Sequence, residues 1–193
     1  SGTSIFHITF PSSLKIIGER SFFYCQNIQS VEFPSNSQLI TIASEAFSGT
    51  SITNLLIPKK VKTIGNWCFS DSSLQSIIFP EDSELNFIGE CAFSGTQIEK
   101  FVFPNRDILI LIGIFNDCTN MKEIVVSDSI DSIYPIVSRL KLEKINIPPK
   151  VDDLNILDFN SLKEIHISPN NKYFADIDGK IVNNCSLITR IIV

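Results

Sequence analysis

Residues 74–104 read LQSIIFPEDSELNFIGECAFSGTQIEKFVFP, and this stretch contains one complete copy of a repeated pattern. It opens with the pattern Leu-x-x-Ile-x-Phe-Pro, and the equivalent pattern Ile-x-x-Phe-x-Phe-Pro begins 24 residues later. Alternating β-branched and aromatic residues predict a short strand, and a proline, which has no N–H to donate, ends it. The stretch therefore predicts one repeat with one strand, followed by the strand of the next repeat.

The same period extends along the whole chain. Eight equivalent positions follow one another at spacings of 23, 24, 22, 24, 23, 21 and 21 residues: Pro11, Pro34, Pro58, Pro80, Pro104, Ser127, Pro148 and Pro169. A period of this length is typical of solenoids, in which each repeat packs only on its neighbours. We predict that residues 1–193 form a single right-handed solenoid of about eight to nine repeats. Its parallel sheet has one short strand per repeat on the concave face, and turns, short strands or 3-10 segments form the convex face.

The second half of the early repeats carries its own pattern, Ile-small-x-x-small-Phe. It gives one aromatic residue the same position in four repeats: Phe22, Phe47, Phe69 and Phe93. Small residues allow a tight convex turn, and we predict that these rings stack in one column inside the solenoid. Two later units are expected to depart from this geometry, because the Ile-Gly pair at 112–113 reaches Phe115 two residues early and Ile-Tyr-Pro at 133–135 replaces the glycine turn.

Charged residues test this alignment independently of hydrophobicity. Four successive strands carry one acidic and one basic residue at the same two positions: Glu99-Lys100, Lys122-Glu123, Glu143-Lys144 and Lys163-Glu164. When the strands stack in register, each charge lies beside its opposite on the next strand, and a slipped register would bring like charges together. The alternation therefore predicts parallel, in-register stacking.

The five cysteines cannot all pair with one another, and they form no Cys-x-x-Cys motif of the kind found in zinc and redox sites. Cys68 stands where neighbouring repeats have Ser or Ala, and Cys25 and Cys118 share another position of the repeat. Free cysteine packs as a small hydrophobic residue. We predict that Cys25, Cys68 and Cys118 are reduced and shielded, with a reactive thiol as the alternative.

Composition and motifs favour a protein without catalytic or cofactor chemistry. The net charge is -5, and the one basic cluster, at 59–62, reads as a solvated loop, so nucleic acid is not a predicted partner. No apolar run approaches the roughly 20 residues that cross a bilayer, so we predict no membrane insertion of this segment. His7 and His166 lie many repeats apart, and no phosphate loop or nucleophile elbow occurs. We expect no enzyme activity, no cofactor and no metal.

The repeat pattern changes near the C-terminus. Residues 170–184 predict a hairpin-like insert, because the Asp-Gly pair at 178–179 between apolar runs is typical of a tight turn. Asn184 begins a glycosylation sequon, whose use requires secretion from a eukaryote. The strand pattern restarts at 188–193, and neither end of the chain resembles a polar cap, so we expect a segment of a longer protein.

The combined motif resembles the BspA-type leucine-rich repeat. The resemblance is close over residues 5–104, and the Asn-Asn-Lys-Tyr and Asp-Gly elements of the insert are also similar to that family. It implies a solenoid at the cell surface or outside the cell, on bacteria or parasitic protists. Its implied partners are host extracellular-matrix or cell-surface proteins, to which such modules adhere.

An apolar stripe is the candidate binding site. In each strand the residue between the last two apolar positions points onto the open face of the sheet, and four adjacent repeats have an apolar residue there: Leu56, Ile78, Val102 and Val125. Lys100, Glu123 and Lys144 flank this stripe as a charged rim. Exposed apolar clusters rimmed by charge mark interaction sites, although β-propensity alone would also explain these residues. We predict a protein partner on the concave sheet, with self-association into a homo-oligomer as the alternative.

Overall fold

The computed structural model describes residues 5–137, 140–177 and 180–183. The elements of these residues are, in chain order, β1 (His7–Thr9), β2 (Ile16–Ile17), β3 (Ser30–Glu32), β4 (Thr41–Ile42), β5 (Asn54–Leu56), β6 (Thr63–Ile64), β7 (Ser76–Ile78), β8 (Phe87–Ile88), β9 (Lys100–Val102), β10 (Leu109–Ile110), β11 (Glu123–Val125), α1 (Tyr134–Val137), β12 (Lys144–Ile147), β13 (Glu164–Ile167), β14 (Phe174–Ile177) and β15 (Lys180–Asn183). The Asp-Gly turn, the sequon at Asn184 and the restarted strand pattern at 188–193 lie outside the described residues.

The strands that the proline motif predicts are β1, β3, β5, β7, β9, β11, β12 and β13, which we call the front strands. Every ladder between them is parallel, and residues one repeat apart stand side by side. Six prolines each follow the end of a front strand by two residues: Pro11, Pro34, Pro58, Pro80, Pro104 and Pro169. The parallel solenoid and the equivalent proline positions are therefore confirmed.

The remaining short strands form a second parallel sheet, the back sheet, in the order β10-β8-β6-β4-β2. The predicted aromatic column runs inside the solenoid. Ring centroids are 5.1 Å apart for Phe22 and Phe47, and 5.6 Å apart for Phe47 and Phe69 and for Phe69 and Phe93, with ring planes within 8° of parallel. Phe47, Phe69 and Phe93 are fully buried, which confirms the prediction. Each stacked pair adds about 0.5–1.5 kcal/mol to the effect of burial alone.

The unit that contains Phe115 keeps the convex turn, so the departure expected at 112–113 is wrong. Ile110, rather than Ile112, pairs with Ile88, and the turn therefore runs from Ile110 to Phe115. The backbone shows why. The third residue after the back-strand isoleucine has a positive φ in five successive repeats: Arg20, Glu45, Trp67, Cys91 and Gly113. Gly113 thus belongs to this left-handed column and not to the column of small residues at the start of the turn.

The small residues at the start of the turn are required by the neighbouring repeat. A Cβ atom on Gly65 would lie 2.4 Å from the backbone nitrogen of Ser44 and 2.6 Å from the carbonyl carbon of Ala43. On Gly89 it would lie 2.5 Å from the backbone nitrogen of Asn66. At Gly65 and Gly89 successive turns therefore pack backbone against backbone, and a side chain is excluded there for steric reasons. Ala43 and Leu111 hold the equivalent positions of their own repeats.

The hydrogen-bonded ladder of the front strands is interrupted twice. The strands form separate groups, β1-β3, β5-β7 and β9-β11-β12-β13, with joints between β3 and β5 and between β7 and β9. Both joints coincide with a 24-residue repeat, in which the loop from the proline to the back-strand isoleucine is two residues longer than in the repeats before and after it. At the first joint the longer loop, 35–38, lines a groove together with residues 56–60.

Residues 127–167 differ from the earlier repeats, because their described part has the single-turn helix α1 in place of a back strand. The predicted charges join neighbouring front strands in both parts of the chain, β9 with β11 and β12 with β13. Four ion pairs link neighbouring strands: Lys100–Glu123 at 2.9 Å, Lys122–Glu99 at 3.1 Å, Lys144–Glu164 at 2.9 Å and Lys163–Glu143 at 2.9 Å. The predicted in-register stacking is confirmed.

In the insert, β14 and β15 pair antiparallel. One side chain ties the insert to the preceding repeat. Asn171 donates from Nδ2 to the carbonyl oxygens of Pro148 at 2.7 Å and Val151 at 3.0 Å, and its Oδ1 accepts the backbone N–H groups of Tyr173 at 2.8 Å and Phe174 at 2.9 Å. The second Asn of the Asn-Asn-Lys-Tyr element is therefore an anchor for the insert.

Cys25, Cys68 and Cys118 are free, as predicted. Cys68 and Cys118 are buried, and burial raises the pKa of both thiols, which makes them poor nucleophiles. Cys118 also donates to the carbonyl oxygen of Phe93 at 3.0 Å. Cys25 is only half-buried, so the prediction that it is shielded is wrong. Cys68 and Cys118 each contact the turn of the preceding repeat, Cys68 at Ala46 and Cys118 at Phe93, whereas Cys25 belongs to the first turn of the described residues and has no such neighbour.

Candidate protein-binding surface

The open face of the front strands carries two columns of outward side chains, because every second residue of a strand points the same way. The column that holds the predicted stripe reads Thr9, Glu32, Leu56, Ile78, Val102, Val125, Asn146 and His166. Leu56, Ile78 and Val102 are 61%, 57% and 47% exposed. Their neighbours on either side along each strand point into the core. Three large apolar side chains in adjacent repeats are therefore presented to solvent on one face.

The stripe ends at Val125, which is half-buried and so less exposed than the other three residues. The next residue of the column is Asn146, whose side chain turns back onto the preceding strand. Its Nδ2 donates to the carbonyl oxygen of Val126 at 2.8 Å, and its Oδ1 accepts the N–H of Val126 at 2.6 Å. The amide of Asn146 therefore extends the ladder between β11 and β12 and replaces apolar surface with polar surface.

The joint between β7 and β9 divides the stripe into two pairs. Leu56 lies beside Ile78 in one ladder, and Val102 lies beside Val125 in the next. An apolar groove runs along the joint between residues 77–80 and residues 102–105. The stripe is thus a surface with a central furrow rather than a continuous flat ridge, which sequence reasoning missed. The available signal was the 24-residue spacing from Pro80 to Pro104.

The charged rim lies in the second outward column. Lys100, Glu123 and Lys144 stand side by side in register. Lys100 is paired with Glu123, and Lys144 with Glu164, so no lysine of the rim presents an unpaired charge. The hydrogen bond between Lys144 and Glu164 raises the pKa of the lysine and lowers the pKa of the carboxylate. Exposed pairs of this kind contribute little stability and act mainly through orientation and steering.

Both histidines lie on the open face, at opposite ends. His7 contacts Ser30, Thr9 and Glu32, and His166 contacts Glu164. No group of three or more His, Cys, Asp or Glu residues that could hold a metal ion occurs in the part of the chain that the structure describes. Within the same residues, no helix has the length and apolar character needed to span a bilayer.

The repeat geometry, with one parallel front strand per repeat and an aromatic core column, defines a leucine-rich-repeat solenoid. The model of the BspA type leucine rich repeat region matches residues 1–113 and 87–193. The chain therefore belongs to the BspA-type leucine-rich repeat family, whose members are generally non-catalytic. A comparison with curated protein sequences finds no match.

Solved structures share the fold. The pneumococcal vaccine antigen PcpA is 22% identical to this chain with a TM-score of 0.50, over 93% of this chain and 34% of that protein. A leucine-rich repeat protein from Bacteroides ovatus is 17% identical with a TM-score of 0.56, over 87% of this chain and 62% of that protein. This chain thus spans about a third of the length of PcpA and less than two thirds of the length of the Bacteroides ovatus protein. That residues 1–193 are one segment of a longer protein stays a prediction.

Proposed function

We propose that this chain is a non-catalytic adhesion module of a cell-surface protein, and that it binds a host extracellular-matrix or cell-surface protein through the front strands. The exposed row of Leu56, Ile78 and Val102 carries the proposal. Soluble proteins rarely expose several large apolar side chains in one continuous patch without an interaction to bury them. Membership of a repeat family that generally binds proteins, and a likeness to a pneumococcal antigen, support the same conclusion.

The partner's apolar side chains would cover the stripe and enter the furrow beside Ile78 and Val102. Burial of apolar surface contributes about 25 cal/mol per Å² to affinity before ordering costs. The charges of Lys100, Glu123 and Lys144 are already paired within the module, so these rim residues would add little to affinity. Their main role would be to orient the partner. Val125 is a minor contact in this proposal, since it is half-buried in the free chain.

The informative variant is Ile78→Asp, which places a charge in the centre of the stripe and leaves the core-facing Ile77 and Phe79 unchanged. Ile16→Asp is a matched control, because Ile16 is 60% exposed on the back sheet, away from the stripe. Lys100→Glu tests the rim and should weaken binding less than Ile78→Asp. Retention on immobilised matrix proteins and on host cells, oligomer size by light scattering, and thermal unfolding would be measured for each variant.

Loss of retention for Ile78→Asp, with unchanged unfolding and with a normal Ile16→Asp control, is the expected result. A change confined to oligomer size would instead favour the alternative function, in which the stripe buries against a second copy of the chain. Unchanged retention, size and unfolding would show that the stripe reflects β-propensity alone, and the proposal would then be wrong.

A further inference from the structure

The back sheet has an unfilled edge in the middle of the solenoid. Each back strand before β10 receives hydrogen bonds from the next repeat: Gly65 donates to the carbonyl oxygen of Ile42 at 2.8 Å, and Gly89 to that of Ile64 at 2.9 Å. Leu111 donates to Ile88 at 3.0 Å in the same way. The equivalent bond to Ile110 would come from residue 134, and there the pattern stops.

Local sequence explains the interruption. The N–H of Tyr134 is directed to Oγ of Ser132 at 3.4 Å, and the N–H groups of Ile136 and Val137 both go to the carbonyl oxygen of Ile133 at 3.0 Å. Formation of α1 therefore removes the donors that would otherwise continue the sheet. Among the described residues, nothing bonds to the outer edge of β10. By the alternation of a parallel ladder, that edge presents the carbonyls of Ile108 and Ile110 and the N–H of Ile110.

A groove runs beside this edge. It has a volume of about 510 Å³ and lies between residues 107–110 on one side and residues 129–132 on the other. Leu109, in the outward position of β10, is 62% exposed. The carboxylates of Asp107 and Asp131 line the groove, and both are exposed without a partner among the described residues. Lys150 is the one basic residue of the lining and donates to the carbonyl oxygen of Ser129 at 3.5 Å.

We propose that the free edge of β10 binds an extended, basic segment of a partner protein, which adds to the back sheet as a sixth strand. The main chain of the segment would bond to Ile108 and Ile110, an apolar side chain would cover Leu109, and Lys or Arg side chains would meet Asp107 and Asp131. Strand addition of this kind takes affinity from the main chain and specificity from alternate side chains.

The geometry of the edge favours a single strand over a second solenoid. Residues 127–167 continue the stack beyond β10, so the end of another copy would collide with them. A lone extended segment needs only about 4.8 Å beside the edge, which is one strand spacing. The site is separate from the stripe on the front strands, and it does not depend on the function proposed above.

The probe is the fluorescent peptide Thr-Lys-Thr-Val-Thr-Lys-Thr, whose Lys and Val side chains share one face of the extended chain, because Asp107 and Leu109 share one face of the edge. It is compared with the version that has Glu in place of Lys, and with two versions that are N-methylated at one or the other set of alternate residues. Anisotropy titration of the intact chain should show binding of the Lys peptide. It should show at least about tenfold weaker binding, or about 1.4 kcal/mol, for the Glu peptide and for one of the two N-methylation patterns. Binding that tolerates both N-methylation patterns is charge attraction without strand addition and would overturn the proposal.

Variants locate the site. Leu109→Lys puts a charge on the edge, which blocks strand addition, and should abolish peptide binding without unfolding, because Leu109 is 62% exposed. Ile16→Lys, 60% exposed at the opposite edge of the same sheet, is the matched control and should bind normally, as should Ile78→Asp. Loss with Ile16→Lys rather than Leu109→Lys would place binding elsewhere and contradict the proposal.

Amide exchange tests the edge itself. In the free chain the amide of Ile110 should exchange faster than that of Ile88, which lies between two paired strands, and the Lys peptide should protect it. Slow exchange of Ile110 without peptide would show that the edge is already covered, and the inference would be wrong.

Discussion

Residues 5–126 and residues 127–167 carry the same front-strand pattern on two different supports. The first region backs its front strands with a second sheet and a column of stacked Phe rings. The second region has no back strand in its described part. Ion pairs join its front strands β12 and β13, as they join β9 and β11 in the first region, and the amide of Asn146 ties β12 to Val126. The front pattern alone therefore specifies where the strands lie, while the rest of the repeat decides how they are held.

The same division appears on the open face. The apolar residues of the stripe belong to the first region, and the column becomes polar where the second region begins at Asn146. The free edge of β10 also lies at this boundary, because the back sheet ends there. The stripe and the free edge of β10, the two surfaces that we propose to bind partners, thus both end where the back sheet ends.

The largest contrast between the regions is expected in the core. Phe69→Ala should lower the free energy of unfolding by about 3–5 kcal/mol, since it empties a site between two stacked rings. Phe159→Ala, at a half-buried position of the second region, should cost clearly less. Chemical unfolding of both variants checks this. Equal losses would mean that the Phe column does not distinguish the two regions.

A steric test comes next. Gly65→Ala should destabilise by about 1–3 kcal/mol, because its Cβ would lie 2.4 Å from the backbone of Ser44. Gly18→Ala is the matched control, since the nearest atom to its Cβ is the hydroxyl oxygen of Ser21 at 3.2 Å. Thermal unfolding should separate the two substitutions. A harmless Gly65→Ala would refute close backbone packing between the turns.

In the second region, Asn146→Leu should cost about 1–3 kcal/mol, because it leaves the N–H and the carbonyl of Val126 without their partners. His166→Leu changes the next residue of the same column, which makes no bond to the backbone of its neighbour in the described structure, and it should cost less. Chemical unfolding of the two variants gives the comparison. If the two variants lose the same free energy of unfolding, the hydrogen bonds between the Asn146 amide and the backbone of Val126 do not stabilise the ladder.

The smallest effect concerns pH. The pKa of Glu164 is lowered by Lys144, so the stability from this pair is present above the ordinary glutamate pKa of about 4.3 and is lost as pH falls through the lowered value. The pKa of Lys144 is raised, so the contribution is also lost as pH rises through that value. Lys144→Met should therefore lower Tm at pH 7 by more than at pH about 2. Lys150→Met, which removes a lysine outside the ion pairs, is the control, and an equal pH dependence would show that the pair contributes nothing.

Much of the candidate site could be predicted from the sequence. Alternation within each strand placed Leu56, Ile78 and Val102 on the open face, because side chains on a strand point to opposite sides in turn. Alternation also predicted an outward position for Val125, but it does not give the extent of exposure, and Val125 is half-buried. The furrow between Ile78 and Val102 also escaped prediction, because ladder hydrogen bonds are made between repeats and no single repeat contains them.

The order of the residues is enough to predict the repeat, the parallel register, the Phe column and the position of each rim charge beside opposite charges. These features recur at fixed spacing, and stacking in register converts equal position into contact. Three features are visible only in the folded chain: the turn before Phe115 starts at Ile110, the ladder opens at its two joints, and β10 has a free edge. Each of these depends on how the backbones of adjacent repeats meet, through a positive φ, a longer loop or a donor diverted into α1. The 24-residue spacings mark the longer loops in the sequence, but the opening of the ladder is a contact between repeats, which no single repeat contains.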